Sequence, residues 1–143
     1  MVAQQALSTV DNLKTRGFHM ANRCCLCQHQ EETHVHLFFN CSYTNQVWSS
    51  ILQWMKISRP SKNLKQELSY FDVGGTKWRM YWFHISLAAT VYQVCLGRNR
   101  HIFRGECKRL DAIINKIKFV AAIRILMINH RARLSLVLDA LNS

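Results

Sequence analysis

An all-α fold is predicted by three features of the 143 residues. One proline and five glycines leave few breaks, a pattern that favours long helices over a sandwich of many short strands. About half of the residues are apolar, enough for a real core and too many for a disordered chain. In the longer stretches those apolar residues recur three and four apart, the period of a helix with one buried face.

Taken in order, Thr9 or Asp11 is suited to cap a short helix through Arg16, with Gly17 as its stop. Phe18 to Arg23 then leads into a cysteine-rich turn. EETHVHLFFN contains no breaker and begins with two glutamates that suit a helix N-terminus. It is expected to form a short helix carrying His36 and ending near Cys41. Ser42 restarts a helix, SYTNQVWSSILQWMKI, in which Val47, Ile51 and Trp54, with Trp48 and Leu52, mark a buried stripe. SRPSKNLKQELSYFDVGGTK holds the only proline and the only Gly-Gly, so residues 58–76 read as a linker with one or two helical turns around Leu64 to Tyr70. KWRMYWFHISLAATVYQVCLGRNRHIF predicts a long helix that Gly97 weakens or bends. From about Glu106 to Leu141, Leu110, Ile113, Ile114, Ile117, Val120 and Ala121 fall at helical spacing. The chain thus divides into a helical module at 1–57, the linker, and a helical region at 77–143 packed on the module as one domain.

Cys24, Cys27, His36 and Cys41 form a C-x2-C-x8-H-x4-C series within 18 residues. Three thiolates and an imidazole satisfy a closed tetrahedral Zn²⁺ site. A two-residue spacer lets one tight turn bring both sulfurs of a pair onto a metal, whereas Cys25 and Cys27 stand too close for that turn, so Cys24 is the better partner and Cys25 is expected to point into the core. His34 competes with His36 for the third place. The two lie about 200° apart on a helix, only one faces a metal, and the four-residue spacer to Cys41 favours His36; His29 is a weaker candidate. One structural zinc is expected, supplying folding energy that this polar segment lacks. Four protein ligands leave no position for an activated water, so no catalysis is expected at the metal.

The N-terminal stretch MVAQQALSTVDNLK has neither the basic nor the apolar region of a secretory leader, which predicts an intracellular setting where a C-x-x-C pair binds metal rather than forming a disulfide. No apolar run reaches membrane-spanning length, since Arg124 interrupts FVAAIRILMI; a soluble protein with no membrane partner is expected. The net charge of +11 points to a polyanion such as nucleic acid or an anionic surface. Its distribution is uneven: residues 24–55 contain no lysine or arginine, whereas residues 96–143 carry ten against three carboxylates.

The words RCCLCQHQEETHVHLFFNCSYTNQVW resemble the zinc-binding domain that follows the reverse transcriptase in plant non-LTR retrotransposons, whose pattern is close to C-x-LC-x-x-x-EET-x-x-HLFF-x-C-x-x-x-x-x-VW. LSTVDNLKTRGFHM upstream and LAATVYQVCLGRNRHIFRGE downstream resemble the same family. The resemblance implies Cys24, Cys27, His36 and Cys41 as the zinc ligands. It departs at Cys95 and Gly97, where the family commonly has tryptophan and glutamate. The chain is expected to be a severed or host-retained piece of such an element's C-terminal region. The resemblance and the charge together favour the nucleus over the cytoplasm. Asp11, Asp72, Asp111 and Asp139 are dispersed, so neither the metal-binding aspartates of a polymerase nor those of an RNase H are present and no enzyme activity is expected.

Arg98, Arg100, Arg104, Lys108 and Arg109 form a basic cluster beside Phe103, suited to track a phosphate backbone, with Phe103 or Tyr92 as a stacking surface. The four tryptophans, set among Leu, Ile and Phe at helical spacing, are expected in the core. The function expected from these observations is a non-catalytic zinc-binding domain that binds RNA or DNA through a basic helical face. The competing expectation is a protein-interaction module using exposed aromatic surface, or a remnant with no selected role.

Overall fold

The computed structural model describes residues 23–33, 35–70, 76–128 and 141–142. The short helix expected near residues 9–16 lies outside these, as do His34 and the end of the long C-terminal segment. The described residues are helical: a π-helical turn at His36–Asn40, then α1 (Ser42–Trp54), α2 (Leu64–Leu68), α3 (Lys77–Arg104) and α4 (Leu110–Ile128). A single bridge between Arg23 and Glu31 is the only β pairing among them.

The expected helix around His36 forms as a wider turn. The Cys41 N–H donates to the His36 carbonyl at 2.7 Å, five residues back, the bond that defines a π turn. The Thr33 hydroxyl accepts the His36 N–H at its start. In α1 the predicted stripe is buried: Val47, Trp48, Ile51, Leu52 and Trp54 all lie inside. The helix stops at Trp54 rather than near Ile57 because Lys56 takes a left-handed conformation, φ 59°. The Lys56 N–H then donates to the Gln53 carbonyl and the Ile57 N–H to that of Leu52, a Schellman stop that satisfies the last carbonyls without glycine.

Within the 58–76 stretch, α2 forms where a turn or two was expected, capped by the Asn63 side chain. Its Glu67 is fully buried and receives both terminal nitrogens of Arg59, at 3.0 and 2.6 Å, and the Lys62 backbone N–H at 2.7 Å. Arg59 in turn lies over the Tyr70 ring. Burial alone would raise the Glu67 pKa, but Arg59, the Lys62 N–H and the Trp48 indole together hold it below the ordinary glutamate value. Residues 59–70 are thereby tied to the core.

Thr76 caps α3 by accepting the Arg79 N–H, and Gly105, at φ 65°, ends it in the left-handed conformation that suits glycine. Gly97 does not break α3, which runs unbroken through it; a Cβ there would meet only the Ile113 Cδ1, at 3.7 Å. The short 105–109 connection turns the chain back, and α4 packs along α3 as an αα-hairpin. α1 contacts both. The core they share is built from Trp48, Ile51 and Leu52 of α1, Phe83, Leu87 and Val94 of α3, and Ile113, Ile117 and Ala121 of α4. Trp48 meets Phe83 and Trp54 meets Trp82 edge to face, so these tryptophans are packed rather than presented. Leu37 and Phe38 of the π turn join the same core. No described helix is long and apolar enough to cross a membrane.

Candidate metal centre

Between Arg23 and Glu31 the chain folds back on itself in a tight loop. The Cys24 N–H donates to the Gln30 carbonyl at 2.7 Å and the Gln28 N–H to the Cys24 carbonyl at 2.8 Å, with Gln28 in a left-handed conformation. This closed turn puts Cys24 and Cys27 side by side. Cys41 occupies the N-cap of α1, where unsatisfied helix N–H groups face its sulfur. His36 enters from the π turn.

The ligand atoms of Cys24, Cys27, His36 and Cys41 all lie within 4.8 Å of one another. Cys24 Sγ and Cys41 Sγ are 3.9 Å apart, and Cys27 Sγ lies 3.3 Å from His36 Nε2. With zinc–sulfur bonds of about 2.3 Å, the edges of a tetrahedron come to about 3.8 Å between sulfurs and slightly less between sulfur and nitrogen. The cluster fits one zinc ion of the Cys3His type. Cys24, His36 and Cys41 are buried, so the centre is closed on most sides.

Electrostatics agree with this use. The Cys24 thiol bonds to Cys41 and the backbone N–H groups of Thr44 and Tyr43 also face the Cys41 sulfur; together they outweigh burial and lower its pKa, favouring the thiolate a metal needs. The same contact and burial push Cys24 the other way, opposed by the backbone N–H groups of Cys27 and Leu26. A divalent cation placed among the four would relieve this shared-proton arrangement. His36 Nδ1 is buried and makes no hydrogen bond, so the ring is aimed by its backbone turn.

The remaining cysteines and histidines stay outside. Cys25 is half-buried, its Sγ 3.9 Å from Glu32 Oε2, and burial followed by the Glu32 charge pushes its thiol up to about 12. Burial raises Cys95 to about 11. His29 is exposed and turns its Nδ1 to the Cys27 carbonyl. Cys107 is exposed and lies beside His101. Among the described residues no second group of metal-ligating side chains comes together.

One residue read from the sequence as part of the basic cluster is elsewhere. Arg98 is 3% exposed and sends both Nε, at 2.9 Å, and Nη2, at 2.7 Å, to Glu32 Oε1. It points inward because it stands four residues after Val94 and eleven after Leu87, on the buried stripe of α3. It thus ties the metal loop to α3 and, contrary to the sequence expectation, is not exposed with the basic cluster. Arg100, Arg104, Lys108 and Arg109 remain at or near the surface. In the sequence Glu32, its partner, shows only as a charge favouring a helix start; no local signal links residues 66 apart.

Residues 1–48 match the family model for zinc-binding in reverse transcriptase. That match covers about a third of the chain and contains all four residues of the cluster. Family and geometry therefore agree on a zinc-binding segment at the head of the described fold. No curated protein and no solved structure matches the chain.

Proposed function

We propose that this chain is a non-catalytic module, derived from a reverse transcriptase of the plant non-LTR retrotransposon type, that binds RNA or DNA through the basic surface where α3 turns into α4. The zinc is structural: four protein ligands complete its tetrahedron and the ion supplies folding energy to residues 24–41. The observation that carries the binding reading is the sorting of charge. Of the described carboxylates, Glu32 and Glu67 are buried against Arg98 and Arg59, which leaves Glu31, Glu106 and Asp111 at the surface. Arg100, Arg104, Lys108 and Arg109 crowd one helix end and its loop, and among the described residues only Arg109 of these four forms an ion pair, an exposed one with Asp111 at 3.3 Å. Such a surface attracts a phosphate backbone and reads little sequence.

Salt titration tests this. Affinity for a short RNA or DNA should fall steeply between about 50 and 200 mM salt, with the slope reduced by about one for each of Arg100, Arg104 or Lys108 changed to Ala. Affinity unchanged across that range would sink the reading.

A second reading rests on α4. Phe119, Ile123 and Met127 are exposed four residues apart on its outer side, a line suited to a protein partner. Self-association in the absence of nucleic acid, together with no retention on heparin, would favour this reading.

A further inference from the structure

The outward face of α3 carries aromatic rings at a repeat the basic surface does not explain. Tyr81, Tyr92 and Phe103 are 55%, 60% and 72% exposed. They stand eleven residues apart, and eleven residues are just over three helical turns, so each ring is rotated only about 20° from the last and lies about 16 Å further along the axis. Ala88 and Asn99, also exposed, fall on the same line and keep the ground between the rings low. The buried side of α3, from Phe83 and Leu87 through Val94 to Arg98, is diametrically opposite. Tyr81 leans on the neighbouring Trp78 ring, 5.9 Å between centroids, and none of the three rings belongs to the shared core.

The surrounding chemistry selects the occupant. α3 is 28 residues long and contains no aspartate or glutamate. Lys77 and Arg79 stand at its start, and Arg100 and Arg104 flank the Phe103 end, where Lys108 follows in the loop. An apolar protein partner would account for the rings and leave the absence of carboxylates without a cause. A duplex would account for the cations but keeps its bases stacked inside, out of reach of a ring on a convex helix. Unpaired nucleotides use both: their bases stack on aromatic faces while their phosphates meet the flanking cations.

We infer that the Tyr81–Tyr92–Phe103 line of α3 is a platform for single-stranded nucleic acid, with bases stacking on the rings and the strand continuing onto the Arg100, Arg104 and Lys108 surface. This rests on the polyanion-binding reading and narrows it to unpaired strands. Stacking tolerates any base, so the platform confers preference for strand over duplex rather than for sequence.

The test is fluorescence anisotropy with the full chain, using a labelled unstructured RNA strand of about 15 nucleotides and the matching duplex. The strand should bind more tightly than the duplex. Tyr92→Ala and Phe103→Ala should each weaken strand binding about tenfold and leave duplex binding unchanged, while Tyr92→Trp should retain it. Both positions are exposed, so circular dichroism should show the variants folded as the parent. If the alanine variants bind the strand as well as the parent while Arg100→Glu with Arg104→Glu loses both ligands, the platform is refuted and the basic surface stands. If the parent binds neither probe at low salt, both readings fall.

Discussion

The metal loop and the helical hairpin are held together by different means, and the contrast sets how each responds to change. Residues 24–41 send Cys24, Leu37, Phe38 and Cys41 inside, but much of the segment is polar and its backbone bends through a left-handed residue and a π turn. Its order rests on a point constraint, four ligands around one ion, and on one buried ion pair. α3 and α4 instead share a continuous apolar seam with α1, where no single contact dominates. A region fixed at one point fails all at once; a region fixed along a seam loses stability in increments.

Removing the ion should show the contrast at its largest. Cys27→Ser and His36→Ala should each abolish a stoichiometry of about one zinc per chain in elemental analysis. They should also lower the melting temperature by far more than an ordinary surface change, since structural zinc contributes on the order of 10 kcal/mol of apparent binding energy. Hydrogen exchange should then find protection lost first in residues 24–41 and retained in α3 and α4. Full zinc content in both variants would rule out this ligand set.

Next in size is the link between the regions. Arg98→Ala leaves the Glu32 carboxylate buried without its cation and should cost about 3–5 kcal/mol in chemical denaturation. The double change Glu32→Leu with Arg98→Leu should recover a large part of that, because the loss comes from the stranded charge. Ile117→Ala, within the seam, should cost about 2–5 kcal/mol through its cavity, with zinc content intact. An Arg98→Ala variant as stable as the parent would show that the two regions are not coupled through this pair.

Smaller effects come from the ion pair that fastens α2. Because the native pKa of Glu67 lies below its ordinary value of 4.5, its contribution is fully present above that value and is lost as pH falls through the lowered native one. Glu67→Gln should cost about 1–3 kcal/mol near neutral pH. The difference in stability between parent and variant should shrink on acidification, and a difference independent of pH would remove Glu67 from the acid response. Last, Gly97→Ala should stabilise by about 0.5–1 kcal/mol, since α3 is regular there and the new methyl meets Ile113 at an ordinary contact distance. A destabilised variant would mean that α3 and α4 approach too closely for any side chain.

What was legible in the sequence follows the range of the forces involved. The helical class, the stripe of α1 and the Cys24–Cys27–His36–Cys41 set are written in spacings of two to nine residues, and helix geometry or ligand geometry translates such spacings directly into space. The π turn was not legible, since its wider bond depends on where Cys41 must face. Nor was the end of α1, because lysine in a left-handed conformation has no local signature. The inward place of Arg98 is legible when the stripe from Leu87 and Val94 is continued, although its neighbours Arg100 and Arg104 give the local sequence a basic, exposed character. Only its partner, Glu32, depends on tertiary structure, and spacing along the chain carries no trace of that contact.

The turn between His36 and Cys41 also sets how the segment tolerates changes in length. Closing the backbone across five residues admits one residue more than an α-helical turn holds. Deleting any one residue between them would keep every ligand in the composition and most of the helical signal, yet swing Cys41 through about 100° relative to His36. Substitutions between these ligands are therefore a question of packing, while a single-residue deletion would dismantle the centre with all four of its ligands still present.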